Sequence, residues 1–572
     1  MGSNVMRSIL QHIYGEPKGN LAYSRIMPIL DAFLKNSIPG EADTFSASDV
    51  ILITYADTLL KDGEAPLQTL HRFLDNHVNH RFSGIHILPF FPYSSDDGFS
   101  ISDFFRVRSD LGSWGDIRSF GKHFDLMVDF VANHISVESR WFRNYLDGEK
   151  GFQELAIEVD PCTDLSMVTR PRSLPLLTEF KKQSGDRVHV WTTFSPDQID
   201  LNYQSLDVLE NMLRAMLFYV SQGTKFIRMD AIAYLWKEIG TPCIHLPQTH
   251  AMVRLFRRIL DMVAPQVILI TETNVPYKEN VRYFGDGCDE AQMVYNFTLP
   301  PLLLHALTTG NARVLTKWVM TLSTPSPQTT FFNFTASHDG IGVRPLEGVL
   351  PSSEIHTLAD RVRRNGGHVS THRHQDGTEG PYEFNITYFD ALKDPGLVDD
   401  SFQIARFLAS QAVALVLPGV PAVYIHSLLG SHNWYRGVEA TGQARAINRE
   451  KLSLADITAA LTDPHTDRAR VFQAYRHMIR IRIAQPAFHP GADMQVHSLD
   501  DRVLTIQRSC RDQTLFALIS LSSDNLTLAL PKRVKGLVLT DLLGGGRFKA
   551  EAVSMYPYGV LWLEPVPEPP LS

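Results

Sequence analysis

Short apolar runs recur along most of the chain, and each one ends in polar or turn-forming residues. Such runs predict strands that are buried on both faces, as in a parallel sheet. We expect eight of them, at 51–54, 85–90, 126–131, 226–229, 267–271, 293–297, 331–336 and 420–425.

Amphipathic helix patterns fall between these strands. The clearest places Leu209, Met212, Leu213, Met216, Leu217 and Val220 on one helical face. Weaker patterns predict helices at 69–78, 114–123, 252–262 and 402–417. Alternating strands and helices are typical of an α/β protein, and eight strands predict a (β/α)8 TIM barrel.

Two segments between predicted strands are too long for simple connections. The first, 136–203, is rich in Pro and Arg and predicts a small inserted domain after strand 3. It divides the barrel into 1–135 and 204–495. The second, about 342–397, carries several glycines and the histidine-rich stretch with His368, His372 and His374, and it predicts a long loop insertion. Because loops at the C-terminal ends of barrel strands build the active site, both insertions should shape substrate specificity.

The pattern changes from about residue 496. Helix signals disappear, and short alternating segments at 503–507, 515–519, 526–530 and 559–563 predict strands with one buried face. We therefore expect a C-terminal antiparallel β domain over 496–572.

Composition excludes several classes of protein. A chain of 572 residues with 44% hydrophobic and 20% charged residues predicts a globular protein of more than one domain. The formal charge of −8, without basic blocks, predicts no nucleic-acid partner and no anionic membrane partner.

Cellular location follows from the cysteines and the N-terminus. The four cysteines are far apart and predict reduced thiols rather than disulfides or a zinc site. No signal-peptide core and no membrane-spanning stretch is evident. The expectation is a cytoplasmic enzyme that is a monomer or a homodimer.

Polar clusters follow four of the predicted strands, and they contain Asp129 and His134, Arg228 and Asp230, Glu272, and His338 and Asp339. Cleaving a glycoside with retention needs one carboxylate nucleophile and one carboxylic acid. Arg228 and Asp230 share a strand face, so the arginine would keep Asp230 ionised. Taken singly, Arg228 and Asp230 also fit a structural ion pair, and His338 also fits a buried core histidine.

Taken together and in order, the segments 126–134, 226–230, 267–272 and 331–339 resemble the four motif regions of the α-amylase family of retaining glycosidases and transglycosylases. The resemblance implies that Asp230 is the nucleophile, Glu272 the acid/base and Asp339 the transition-state stabiliser. It also implies that His134 contacts the bound glucose and that His338 belongs to the same site as Asp339.

A finer resemblance is to the sucrose phosphorylase branch of that family, through the segments 52–57, 86–99, 193–198, 337–342 and 446–449. It implies that Asp96 holds glucose hydroxyls with Arg449 beside it. Phe99 and Tyr234 would form apolar walls, and Phe194 and Gln198 would flank the boundary between glucose and acceptor. For the aromatic residues, core packing remains an alternative.

The resemblance implies a retaining phosphorylase that transfers an α-glucosyl group between a small α-glucoside and inorganic phosphate, giving α-glucose 1-phosphate through a covalent glucosyl-enzyme. That chemistry requires no metal and no organic cofactor, and the carboxylates show no calcium-loop spacing. Phosphate needs a cationic pocket. The candidates are Arg170, Arg172, Arg344 and Arg449, followed by His245, His368, His372 and His374.

The acceptor is the open question. The runs 169–178, 243–250 and 272–276 resemble glucosylglycerate and glucosylglycerol phosphorylases more than sucrose phosphorylase. Glycerate and glycerol are therefore expected, with fructose and fructose 6-phosphate as alternatives. A sucrose or sucrose 6-phosphate phosphorylase, an α-glucoside hydrolase and an inactive scaffold protein are the competing functions. All three carboxylates are present, which disfavours the scaffold.

Overall fold

A closed barrel of eight parallel strands lies at the centre of the computed structural model, which describes residues 2–36, 40–42, 45–78, 81–171, 174–373, 379–397 and 399–566. This confirms the predicted fold class. Each strand pairs with the next along the chain, and the eighth closes on the first. The strands are β1 Ile51–Thr54, β2 Gly84–Ile87, β3 Asp125–Val131, β4 Thr224–Asp230, β5 Ile268–Thr271, β6 Met293–Tyr295, β7 Thr330–Phe334 and β8 Val420–Tyr424.

All eight predicted strands lie on barrel strands, and only their ends differ. The segment predicted at 85–90 stops at Ile87 because Pro89, two residues on, has no N–H for a strand ladder. β4 extends from Thr224 to Asp230 and so includes polar residues that an apolar run does not reveal. The apolar pattern therefore located each strand by its buried middle.

Helices surround the barrel, and all five predicted helices are present. Leu206–Ser221 buries the face that its periodicity predicted, including Leu209, Met212 and Met216. The principal barrel helices are Pro66–His77, Trp114–Phe120, Leu206–Ser221, Pro247–Val263, Leu299–Thr309, Arg313–Val319, Gln403–Val416 and Asp467–Arg482. Shorter helices are Arg140–Leu146, Tyr277–Asn280, Ile425–Leu428, Tyr435–Thr441 and Leu454–Thr462.

Two N-terminal helices, Gly2–Tyr14 and Glu16–Leu34, were not predicted. They attach to the barrel through Tyr14, whose hydroxyl donates to the Tyr203 carbonyl at 2.8 Å and whose ring meets the edge of Trp236. Among the described helices, none combines the length and apolar character needed to cross a bilayer.

The segment between β3 and the helix Leu206–Ser221 contains two antiparallel strand pairs. His134–Ser136 pairs with Gln198–Asp200, and Leu177–Lys181 pairs with Arg187–Trp191. Asp200 is fully buried, and its Oδ2 lies 2.5 Å from Lys237 Nζ. Lys237 also donates to Asn133 Oδ1 at 2.7 Å. The buried ion pair between Asp200 and Lys237 therefore links the inserted segment to the loop that follows β4.

Lys237→Met is expected to lower the free energy of unfolding by about 3–5 kcal/mol, because it leaves Asp200 buried and without its cation. Chemical or thermal unfolding measures this loss. The double variant Asp200→Asn/Lys237→Met should recover part of it, since no uncompensated charge remains. A single variant as stable as the wild type would show that Lys237 does not anchor the inserted segment.

The second insertion is not the long loop that we predicted at 342–397. It contains the helices Ser352–Arg364 and Tyr388–Ala391 and two strands, His368–Arg373 and Glu379–Asn385. With Ile341–Gly342 these strands form a three-stranded antiparallel sheet. The loop prediction was wrong because it overlooked Ile355, Leu358, Ala359 and Val362, which repeat at helical spacing and form the apolar face of the long helix.

The C-terminal part is an antiparallel β domain, as predicted. Its six-stranded sheet contains, in spatial order, Asp493–Asp500, Val503–Cys510, Gln513–Ser520, Val560–Val566, Val538–Asp541 and Arg547–Lys549. A separate pair is Leu526–Leu528 with Val553–Met555. Buried Arg508 donates to the Val416 carbonyl at 2.7 Å, at the C-terminal end of a barrel helix. The domain is thereby joined to the barrel.

Candidate active site

Asp230, Glu272 and Asp339 line one cavity. Asp230 is the last residue of β4, Glu272 directly follows β5, and Asp339 follows β7. The cavity therefore opens at the C-terminal ends of the barrel strands, where TIM-barrel active sites lie. Seven further residues that the sequence proposed also line it, namely Asp96, Phe99, His134, Phe194, Gln198, Tyr234 and His338.

Arg228 lies behind Asp230 rather than in the cavity wall. Its Nη1 donates to Asp230 Oδ1 at 2.7 Å and to Asp129 Oδ1 at 2.6 Å. Asp129 is the register partner of Arg228 on β3, and its other oxygen accepts from His86 Nε2 at 2.8 Å. Strand alternation places Arg228 and Asp230 on one face, so the buried guanidinium orients the carboxylate.

Glu272 is held by the loop after β4. Its Oε2 accepts from the backbone N–H of Ala231 at 3.1 Å, while its Oε1 lies 4.0 Å from Arg228 Nη2. Ala231 has φ of 50°, a left-handed conformation that costs a non-glycine residue roughly 1–2 kcal/mol. Local backbone strain therefore accompanies the turn that brings Asp230 and Glu272 together.

Burial raises the pKa of both Asp230 and Glu272. In each case Arg228 opposes the rise and neighbouring carboxylates add to it, Glu272 acting on Asp230 and Asp339 acting on Glu272. The Arg228 guanidinium touches Asp230 but stands 4.0 Å from Glu272. When the pair holds one proton, this difference favours charge on Asp230 and the proton on Glu272.

Asp339 is held ionised by its neighbours. Burial would raise its pKa, but Arg445 first, then His338 and Arg449, bring that pKa well below the ordinary value. Arg445 Nη1 lies 2.6 Å from Asp339 Oδ1, His338 Nε2 lies 3.5 Å from Oδ2, and Arg449 Nη2 lies 3.8 Å from Oδ1.

Sequence reasoning missed Arg445 and its partner Glu383, which both line the cavity. Arg445 donates to the two oxygens of Glu383, from Nε at 3.0 Å and from Nη2 at 2.6 Å. Arg445 directly precedes the 446–449 motif, and nothing in the sequence distinguishes it from an exposed surface arginine. Glu383 lies in the segment predicted as a loop. Tyr382 and Asn274 also line the cavity and were missed.

Arg445→Met should raise the pKa of Asp339, because the largest influence that lowers it is removed. If activity needs the ionised carboxylate, the loss of activity on the acidic side will begin at a higher pH than in the wild type. The pH profile of kcat/KM measures this shift. Arg445→Lys retains the positive charge and should shift the acid limb less. An acid limb that does not move in Arg445→Met would contradict the assignment.

That Arg449 lies beside Asp96 stays a prediction, and the hydrogen bonds of Arg449 are with the next residue, Asp97, and with the loop after β7. Arg449 forms an ion pair with Asp97, and its Nε donates to the His338 carbonyl at 2.8 Å. Asp96 and Asp97 both have positive φ, 55° and 48°. Asp96 lines the cavity, where Gln198 Nε2 donates to it at 3.3 Å. Asp96 and Asp97 are neighbours in the 86–99 motif, but the turn directs the first carboxylate into the cavity and the second to Arg449.

Aromatic and imidazole rings form the cavity walls. Phe99 stacks on His338 with 4.8 Å between ring centroids and 6° between planes. His134 Nε2 lies 3.1 Å from the Phe99 carbonyl oxygen. Burial lowers the pKa of His134 to about 4 and that of His338 to about 3, so both rings are neutral near pH 7. Apolar faces beside neutral polar groups suit a sugar ring and its hydroxyls.

The remaining phosphate candidates lie in different places. Burial raises the pKa of Tyr234, and the positive charge of Arg344 opposes that rise. His245 Nδ1 lies 2.8 Å from Tyr283 Oη and its Nε2 lies 3.2 Å from Glu279. Arg170 and His368 are exposed, and the His372 ring meets the edge of Tyr382. Arg172 and His374 lie outside the described residues.

One cluster among the described residues, His71, Asp75 and His123, brings possible metal ligands close together, and it includes no residue of the cavity. Whether the reaction needs a cofactor stays a prediction from the sequence.

Comparison with known proteins agrees with this geometry. The model of the alpha amylase catalytic domain matches residues 75–340. A glucosylglycerate phosphorylase of Spirochaeta thermophila is 44% identical over 584 residues, covering 98% of each chain. One of Escherichia coli is 45% identical over 555 residues, covering 97% of this chain and 99% of the relative.

Among solved structures, the sucrose 6F-phosphate phosphorylase from Thermoanaerobacter thermosaccharolyticum superposes with a TM-score of 0.74. It is 25% identical and covers 90% of this chain and 99% of its own.

Proposed function

The chain belongs to the α-amylase family, and from this premise we infer that it is a glucosylglycerate phosphorylase. In the degradative direction it would transfer the glucosyl group of an α-glucosylglycerate to inorganic phosphate, releasing glycerate and α-glucose 1-phosphate. The observation that carries the chemistry is the single cavity shared by Asp230, Glu272 and Asp339. The proposed acceptor rests on the high identity to two glucosylglycerate phosphorylases along nearly the whole chain.

In the first step, we propose that Asp230 attacks the anomeric carbon as the bond to the glycerate oxygen breaks. Glu272 gives its proton to that oxygen, so glycerate leaves with a hydroxyl and Asp230 becomes a β-glucosyl ester. Glu272 lies 4.0 Å from the Arg228 guanidinium, against 2.7 Å for Asp230, and this weaker stabilisation of its charged form supports its role as the acid. The contact with Arg228 supports an ionised nucleophile.

In the second step, a phosphate oxygen attacks the same carbon from the face that glycerate has left. Glu272, now a carboxylate, takes the proton from phosphate, and Asp230 is released as a carboxylate. Two inversions leave the α configuration unchanged. Asp339, which Arg445 keeps ionised, would stabilise the positive charge that develops on the sugar in both steps.

A second candidate function is phosphorolysis of sucrose or sucrose 6-phosphate. It is the weaker interpretation, because the solved sucrose 6F-phosphate phosphorylase is 25% identical, against 44% and 45% for the two glucosylglycerate phosphorylases. Hydrolysis on the same scaffold is the third. All three use the same carboxylates and differ in what occupies the acceptor side of the cavity.

The proposed function is tested by supplying α-glucose 1-phosphate with glycerate, glycerol, fructose or fructose 6-phosphate and measuring phosphate release. We expect release with glycerate to exceed the rate without acceptor by far more than for the other three. Fastest release with fructose or its phosphate would favour the second candidate. Equal release in every tube, acceptor or none, would mean that water is the acceptor and would contradict the proposal.

A further inference from the structure

Three arginines converge in a pocket that is separate from the catalytic cavity. None of its lining residues carries a carboxylate, and they are Arg81, Gln473, Arg476, His477 and Arg480. Arg81, Arg476 and Arg480 form no ion pair with any Asp or Glu of the described residues. The pocket therefore gathers positive charge that no acidic side chain in the described part of the chain balances.

Arg476 and Arg480 stand one turn apart on the helix Asp467–Arg482, so their side chains lie on the same side of it. The Arg476 guanidinium lies 4.9 Å from the centroid of the Phe472 ring, and its Nε is shielded from solvent without a hydrogen-bond partner in the described structure. Burial, and then the charge of Arg81, lower the pKa of Arg476. Like charges held this close repel each other, and a buried donor without a partner requires an acceptor. An anion would meet both needs.

His477 holds the Arg480 guanidinium in place. His477 Nε2 lies 3.0 Å from the carbonyl oxygen of Leu543, which can only accept, so Nε2 carries the proton and Nδ1 is an acceptor. Arg480 Nη2 donates to that Nδ1 at 3.0 Å. Leu543 follows the strand Val538–Asp541, so this side of the pocket is tied to the C-terminal domain. Because the guanidinium is oriented without a ligand, binding an anion costs less conformational entropy.

The pocket lies at the end of the barrel opposite the three carboxylates. Arg81 comes just before β2, which begins at Gly84. Arg482 ends the helix that carries Arg476 and Arg480, and its side chain donates to the carbonyls of Asp49 and Gly419 at 3.0 and 3.4 Å. Asp49 and Gly419 come just before β1 and β8. The N-terminal ends of the strands therefore surround the pocket, whereas the catalytic cavity opens at their C-terminal ends.

We propose that Arg81, Arg476 and Arg480 bind a phosphate group at this end of the barrel, apart from the phosphate that reacts in the cavity. Guanidinium groups form charge-assisted hydrogen bonds to phosphate oxygens, and three of them suit a tetrahedral dianion. The Gln473 amide adds a neutral donor. Inorganic phosphate and a phosphate monoester share this chemistry. Either ligand would join the loop before β2 to a helix that contacts the C-terminal domain, and it should therefore stabilise the folded protein.

Isothermal titration calorimetry with inorganic phosphate, at an ionic strength held constant with sodium chloride, tests the site. The wild type is compared with Arg81→Gln and Arg476→Gln, which each remove one charge from a different element of the pocket. Each variant should bind phosphate at this site about 10- to 100-fold more weakly, the range for a lost charge-assisted hydrogen bond. The rise in unfolding temperature on adding phosphate should shrink in parallel. Titration with glycerol phosphate separates the two sources, because binding that is weakened in the same variants shows that the site admits a monoester.

Arg470→Gln is the matched control. Arg470 lies on the same helix but outside the pocket lining, and it pairs with Asp467 at 3.5 Å. This variant loses the same charge and should bind phosphate as the wild type does. In all three variants kcat/KM for phosphate should stay within about twofold of the wild type, which also shows that they are folded. Phosphate binding by Arg81→Gln and Arg476→Gln as tight as by Arg470→Gln would overturn the site. Equal losses of phosphate affinity and of kcat/KM would place the effect in the cavity and contradict a separate site.

Discussion

Asp230→Ala is expected to lower kcat for glucosylglycerate phosphorolysis by about 10⁴-fold or more, the scale seen when a covalent nucleophile is removed. Without the carboxylate, the first step has no nucleophile to form the glucosyl ester, and water or phosphate would have to displace glycerate directly. The rate of phosphate-dependent formation of α-glucose 1-phosphate measures the loss.

Asp230→Ala should lower the activity of the protein without lowering its stability. Asp230 stands at the edge of the cavity, so alanine removes a side chain without opening a void in the barrel core, although it leaves Arg228 with Asp129 as its close partner. Unfolding temperature and far-ultraviolet circular dichroism should stay close to those of the wild type. A folded Asp230→Ala variant with activity within tenfold of the wild type would remove Asp230 from the nucleophile role.

Glu272→Gln has the second-largest expected effect, and its size should depend on the leaving group. With glucosylglycerate, whose alkoxide leaves poorly, loss of the acid should lower kcat by about 10²- to 10⁴-fold. With α-glucosyl fluoride, the first step needs no proton and should be nearly normal. The two donors, assayed with the same enzyme preparation, separate acid catalysis from general damage.

Azide provides an independent readout for Glu272→Gln. It needs no general base, so it should accelerate breakdown of the glucosyl-enzyme and give α-glucosyl azide, with retained configuration. Equal losses with glucosylglycerate and α-glucosyl fluoride, together with no rescue by azide, would contradict the acid/base assignment. Because burial raises the pKa of Glu272, the wild type should also stay active to a higher pH than an ordinary carboxylic acid permits.

The barrel was predictable because its strands are buried on both faces, which leaves short, unmistakable apolar runs such as 267–271. The three carboxylates were predictable because each follows such a run, and strand ends of a parallel barrel meet at one face. The 342–397 insertion was predictable only in part. Leu358, Ala359 and Val362 of its helix follow helical spacing and were overlooked, whereas its strand pair is interrupted by a register shift between Ser370 and Thr371.

The charged residues that contact the cavity carboxylates could not be predicted from the sequence. Glu383 and Arg445 are 62 residues apart, and only the folded hairpin brings them together. Asp96 and Asp97 are neighbours in one motif, yet two consecutive left-handed residues direct one to the cavity and the other to Arg449. Contacts of this kind depend on backbone turns that residue type alone does not determine.

The central claim is that Asp230 carries the glucosyl group during turnover. Glu272→Gln treated with α-glucosyl fluoride, in the absence of phosphate, should accumulate this ester. Mass spectrometry of a peptic digest tests the claim directly. The account predicts an added anhydroglucose mass on the peptide containing Asp230, removed by azide. The same mass on a peptide carrying Asp339 instead, or rapid turnover with no adduct on any peptide, would contradict it.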